Sequence, residues 1–351
     1  LLLAACSDRD GDFGLRKTQR VQAVDLVLLE NGRPDPSVLA AEQVVYRGNG
    51  DEPETLDPHR ADGIPASHIL RDLFEGLTSE SPEGQVIPGA ALRWNISRDA
   101  RTYTFYLHRD LVWSNGEPLD AHDFVYSLRR AASPETASSD ANTLLPILNA
   151  REVLAGELPI EELGITLLDE YTMQITLTGP TPYFLGLLAG PVGYPVNKAN
   201  VEAFGAEFAR PGNLGSNGAY VLKAWKPRVS IELEKNPLFR EAQNTLIETV
   251  FYIPTEDQST EVKQFRAGEL DWTSVVPNNQ FRWLQKHYPD ELVVSPWMGS
   301  YFFGFNLTQE PFKDNPSLRL ALSLAIDREI ITSKVTQFGE RPSFALVPPK
   351  L

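Results

Sequence analysis

TYTFYLHRDLVWSNGEPLDAHDFVYSLRRAASP, residues 102–134, is the stretch that decides the fold. Its first six residues alternate. Tyr103, Phe105 and Leu107 share one face and Thr102, Thr104 and Tyr106 the other, which is the period of a half-buried strand. The period then changes. Phe124, Leu128 and Ala131 recur at helical spacing, Asp120 stands as the N-cap with Asp123 three residues on, and Pro134 ends the segment. A strand followed so closely by a capped amphipathic helix predicts a mixed α/β fold.

The same two patterns extend outward. QVVYRG (43–48) predicts a short strand where ordered structure begins. YTMQITL (171–177) puts Met173, Ile175 and Leu177 on one strand face, and VSIELEKNP (229–237) does so with Val229, Ile231 and Leu233 before Pro237 stops it. NPSLRLALSLAIDREIITSKV (315–335) predicts a helix with Asn315 as N-cap and Pro316 in the first helical position. Leu318, Leu322, Ala325, Ile326 and Ile330 form its expected buried stripe. Residues 7–42 are polar and read as a tether with a turn-rich spacer, ENGRPDPS. ERPSFALVPPKL (340–351) is a Pro-rich loop with no closing element, so the chain is expected to be C-terminally interrupted.

The chain has 351 residues, of which 42% are hydrophobic and 23% charged, and a net charge of -15. Such a length allows two or more domains. The acidity argues against nucleic acid as a partner and against attachment to an anionic membrane by charge alone. Cys6 is the single cysteine, which excludes an internal disulfide. It lies in LLLAACSDRDG, an apolar run ending in small residues, the tail of a signal peptide. Leu3-Ala4-Ala5-Cys6 resembles a bacterial lipobox, which makes residues 1–6 the end of a lipoprotein signal and Cys6 the lipid attachment point. No other run approaches the ~20 apolar residues of a spanning helix. The expectation is an exported, membrane-anchored protein with a soluble body.

Catalytic patterns are missing. The five histidines form no H-E-x-x-H arrangement, no G-x-S-x-G elbow occurs, and GNLGSNGAY (212–220) lacks the spacing of a phosphate loop. It reads as a tight turn entering a strand. Asp57, His59 and His68 could be taken for a metal site. The turn chemistry of LDPH is the better reading, with the proline fixing one backbone angle and the aspartate capping the turn after it. No metal or cofactor is expected, and no enzymatic activity. WMGSYFFGFN (297–306) concentrates aromatics. A core strand carrying Phe303 and Phe305 is expected, with Trp297, Tyr301 and Phe302 as candidates to line a concave ligand site.

Several stretches together resemble one family, the oligopeptide-binding proteins that feed ABC importers, or solute-binding protein family 5. They are LDPHRADGIPASHILRDLFEGL (56–77), VIPGAALRWNISRDARTYTFYLHRDLVWSNGEPLDAHDFVYSLRRAASPETAS (86–138), PGNLGSNGAYVLKAW (211–225), LEKNPLFREAQNTLIETVFYIP (233–254) and FNLTQEPFKDNPSLRLALSLAIDREII (305–331). His108 departs from the lysine or arginine usual at its place. The resemblance implies a periplasmic-binding-protein-like two-lobed clamp with an inserted extra domain and a truncated second lobe. It places lobe I at 43–74 and 199–297, the inserted domain at 75–198 and the start of lobe II at 298–351. It implies capture of an oligopeptide, with dipeptides, murein peptides, nickel complexes or sugars as alternative ligands, and delivery by a monomer to ABC permease subunits. A truncated, non-functional remnant is the further alternative.

By the same resemblance, Asp62-Gly63-Ile64 pairs as an extended edge with the ligand backbone, and His68 to Leu77 form the helix behind it. Trp297 and Phe302 match tyrosines that line the family's cleft. Asp140 and Ser274 fall near family cleft tyrosines, and Gly304 replaces a glutamate found in one branch. Those departures imply different side-chain pockets.

Overall fold

The computed structural model describes residues 39–295 and 299–347. Cys6, most of the expected tether and Trp297 lie outside the described residues. Among the described residues, ten strands run in chain order: β1 (Val44–Gly50), β2 (Thr78–Glu80), β3 (Val86–Pro88), β4 (Ala91–Ile96), β5 (Thr102–Leu107), β6 (Ile165–Asp169), β7 (Thr172–Thr176), β8 (Tyr220–Lys226), β9 (Ser230–Lys235) and β10 (Thr249–Pro254). Two helices matter most for the site, α1 (Gly63–Leu73) and α2 (Ala121–Ala132). No helix among the described residues is long and apolar enough to cross a membrane.

The chain divides into two compact units, Leu1–Ser274 and Val275–Leu351. The break precedes the 297/298 boundary expected from sequence, because residues after 275 pack within their own unit. Phe281, for example, meets Phe338 edge-on at 4.6 Å.

The first unit holds two four-stranded sheets. One has the order β4-β5-β7-β6 and is antiparallel throughout. The alternation of β5 is realised as expected, with Tyr103, Phe105 and Leu107 buried. Met173 and Ile175 of β7 lie opposite Phe105 and Tyr103. The helix α2 closes this core with Phe124, Leu128 and Ala131. Its capping box forms as the sequence predicts. The Asp120 carboxylate accepts from His122 N at 2.7 Å, and Asp123 accepts from Asp120 N at 3.1 Å. Each fully buried aromatic here stabilises the fold by roughly 1.5–3 kcal/mol.

The other sheet has the order β1-β10-β9-β8, with β1 and β10 parallel. A parallel neighbour needs a crossover. A helix, Gln258–Ala267, follows β10, and the chain then returns to bridge Trp272 in parallel to Arg47 of β1. Leu56, Ile69, Leu70, Leu73, Ile231, Leu233 and Tyr252 meet in the core beneath α1. GNLGSNGAY does enter a strand, β8, and Gly218 N donates to Leu73 O at 2.9 Å. A Cβ at Gly218 would lie 2.6 Å from Leu73 C and Phe74 N, which are backbone atoms that have little room to yield. Gly218→Ala is therefore expected to lose about 1–3 kcal/mol, as overpacked sites do. A thermal melt checks this, and an unchanged midpoint would contradict the close approach.

Five sequence expectations need correction. Val229 is exposed and precedes β9 in a turn, where Arg228 has φ 60° and Val229 N bonds Lys226 O. The helix near the end is capped by Asn315 as expected but breaks after Ala325, and helical turns resume, capped by Asp327, over Arg328–Ile330 and Ile331–Thr336. Its stripe is not buried: Leu322 and Ile330 are exposed, because no described element covers that face. Residues 301–306 form no strand, and Phe303 is exposed. A strand needs a partner for its N–H and C=O groups, and none pairs with this segment among the described residues. Finally, α1 starts at Gly63 rather than His68 and ends at Leu73.

Candidate functional site

The site grows from LDPH. Asp57 O accepts from Arg60 N at 3.0 Å and Ala61 N at 2.8 Å, and Asp57 Oδ1 accepts from His59 N at 3.0 Å. That is the aspartate turn the sequence predicts. The sequence did not reveal its partner. Arg130, in the last turn of α2, donates Nη1 to Asp57 Oδ1 at 2.9 Å and Nη2 to Asp57 Oδ2 at 2.6 Å. This is a two-pronged, nearly buried ion pair, the geometry for which a planar guanidinium is suited.

His59 completes the network. Its Nε2 lies 3.0 Å from Tyr194 O, and its Nδ1 lies 2.8 Å from Arg130 Nη1. A carbonyl only accepts and a guanidinium only donates, so the ring is neutral with its proton on Nε2. Burial, then the Arg130 charge, push its pKa down to about 4 from 6.5. Between those values the unfolded chain binds the additional proton, so stability falls as pH falls from 6.5 toward 4. Above pH 6.5 this contribution is fully present, and it is worth on the order of 3 kcal/mol. Urea unfolding at pH 7 and 4.5 should show the drop, and His59→Gln should reduce it without abolishing it, because the His68 pKa is held down to about 4 as well. An equal drop in the variant would contradict this assignment.

Asp62, Gly63 and Ile64 follow directly and are exposed. Only Asp62 is extended, with φ -130° and ψ 153°. Its carboxylate caps Gly63 N at 2.7 Å, and Gly63 has φ +81°. The three residues are therefore the cap and first turn of α1, not an extended edge. The cap outcompetes strand geometry because it satisfies a helix N–H, and Pro65 sits where the helix needs no N–H. Ile64 is 51% exposed.

Asp140 is brought beside this turn. Burial and then the charge of Asp62 raise its pKa. Its neighbour Ser139 donates Oγ to Ala61 O at 3.2 Å. Ser274 lies on another side, next to Gly50 at the end of β1. Its backbone N and hydroxyl both contact the buried Glu261 carboxylate, at 3.1 and 3.3 Å. Asn49, 2% exposed, joins these regions by donating Nδ2 to Pro65 O and Asp51 O at 3.2 Å. In the second unit, Tyr301 and Phe302 are 91% and 64% exposed, and Tyr301 meets Phe303 edge-on at 5.9 Å.

Arg130, Asn49 and Glu261 were missed by sequence reasoning. Burial of a charged or amide residue leaves no trace in hydrophobic periodicity. Asp57 and His59 are committed to Arg130, whereas His68 lies near Arg47 and Arg71. Burial and those two charges hold its pKa down at about 4. The three do not form a ligand set.

A family model described as Bacterial extracellular solute-binding proteins, family 5 Middle, matches residues 85–351. The chain is 41% identical over 319 residues to the periplasmic oligopeptide-binding protein OppA of Escherichia coli, covering 90% of this chain and 58% of that one. It is 38% identical over 317 residues to the periplasmic murein peptide-binding protein MppA of the same organism, again over 90% and 58%. The solved structure of OppA from Burkholderia pseudomallei superposes with a TM-score of 0.85 at 37% identity, covering 88% of this chain and 61% of that one. The chain thus spans about six-tenths of the length of these relatives. On the profile match and the shared fold, it belongs to family 5 of the bacterial extracellular solute-binding proteins.

Proposed function

We propose that the protein captures oligopeptides in the periplasm or cell envelope and hands them to the permease subunits of an ABC importer. In this reading the protein makes and breaks no bond, uses no cofactor, works as a monomer and is anchored through a lipid on Cys6. Residues 43–74 and 199–297 belong to lobe I, 75–198 to the inserted domain and 298–351 to the start of lobe II. Closure of two lobes about a hinge encloses the ligand.

The observation that carries the reading is the exposed Asp62-Gly63-Ile64 turn, with Asp140 beside it, in a chain of this family. Main-chain capture suits a sequence-tolerant binder, since it supplies affinity without reading side chains. By the family resemblance, Ser274, Trp297, Tyr301 and Phe302 are further candidate ligand contacts. A second reading, capture of murein peptides, is favoured by the 38% identity to MppA.

Titration of the full-length protein with defined tri- to pentapeptides, followed by tryptophan fluorescence, tests the proposal. A saturable change with peptides is expected. Saturation only by a murein tripeptide supports the second reading, and saturation only by sugars or nickel overturns both.

A further inference from the structure

The segment 57–62 that leads into the exposed turn is held from outside by only a few groups. The hydrogen bonds that reach it from other parts of the described chain come from Arg130, Ser139 and Tyr194. Arg130 supplies three of these, two to Asp57 and one to His59. The arginine is itself well placed to hold something still. It sits in the last turn of α2, whose first turn is fixed by a capping box and whose face is packed by Phe124 and Leu128. Its guanidinium also lies over the Phe208 ring, 5.2 Å from the centroid.

A bidentate arginine restricts a carboxylate in direction as well as distance. Asp57 O in turn accepts from Arg60 N and Ala61 N, so the direction of Asp57 sets the path of the chain into Asp62. Ser139, nine residues beyond Arg130, touches Ala61 O at 3.2 Å and reinforces the same path. The turn is thus steered by α2 beside it, not only by the sheet beneath it.

We propose that Arg130 is a positioning residue for the Asp62–Ile64 turn: by gripping Asp57 and His59 it holds that turn in the conformation that meets ligand. The proposal rests on the peptide-binding reading for its last clause only.

The test uses the full-length protein carrying Arg130→Met with Asp57→Asn. The asparagine keeps an acceptor for His59 N, the methionine keeps the aliphatic stem, and no unpaired charge remains buried. Replacing both partners of a buried pair can leave stability nearly unchanged. Urea stability should therefore recover relative to Arg130→Met alone. Amide exchange at Arg60 and Ala61, whose N–H groups bond Asp57 O, should nevertheless rise by about tenfold or more, and tripeptide affinity should fall by a similar factor. Recovered stability with wild-type exchange at Arg60 and Ala61 would overturn the proposal, since the pair would then serve the fold alone.

Arg130→Lys covers the case in which the double variant does not fold. It keeps the charge and loses the fork, so faster exchange at the same two amides is expected, and wild-type exchange again overturns the proposal. If the wild-type protein binds no peptide, the ligand reading fails, while the exchange comparison still decides whether Arg130 positions the turn.

Discussion

Arg130→Met is expected to destabilise the full-length protein by about 3–5 kcal/mol, because it leaves the Asp57 carboxylate buried without a counter-charge. Both partners are nearly buried, and the pair has two short bonds, of 2.9 and 2.6 Å. Lys223 and Glu234 offer an internal control. They too lie 2.9 Å apart, but on the surface of the β8-β9 hairpin, where both are about half exposed. Pairs of that kind contribute roughly 0–1 kcal/mol. Urea unfolding at pH 7 should therefore separate Arg130→Met from Lys223→Met by several kcal/mol. Equal losses would mean that the Asp57–Arg130 pair is no better than a surface contact.

Phe105→Ala should cost a comparable amount, about 3–5 kcal/mol, for a different reason. Phe105 is fully buried in the middle strand pairing of β4, β5 and β7, opposite Trp94 on one side and Met173 on the other. Its ring centroid lies 6.4 Å from that of Trp94 and 6.5 Å from that of Tyr103. Truncation removes the transfer free energy of the ring and leaves a cavity that neighbouring strands cannot collapse into. Thermal or urea unfolding checks this. A loss below about 1 kcal/mol would show that the sheet is loosely packed at its centre.

Sequence made the elements with strong periodicity and caps legible. The alternation of β5 and β7 and the Asp120–Asp123 box of α2 were all in the residue pattern, because burial on one face and an unsatisfied helix end each constrain residue type locally. The start of α1 was not legible. Gly63 and Pro65 look like an extended edge, yet Pro65 costs a first helical turn nothing, and Asp62 caps it. Phe303 and Phe305 have the pattern of a core strand, yet exposure depends on what covers them rather than on their own pattern. The Asp57–Arg130 contact spans 73 positions, and no local signal specifies such a partner.

The candidate site shows the same division. Asp62, Gly63, Ile64 and Asp140 were named from sequence, and the fold brings them to one exposed region. Both donors of Ser274, a ligand candidate from sequence, are engaged by Glu261. Its side chain is oriented by a carboxylate buried in the helix Gln258–Ala267, a position where polar character gives no hint of burial.

Amide hydrogen exchange on the full-length protein, with and without a saturating tripeptide, tests the central claim most directly. The account predicts strong added protection at Asp62 and Ile64, beyond any general slowing across β5 and α2. Saturable peptide binding with unchanged exchange at those two amides would contradict it.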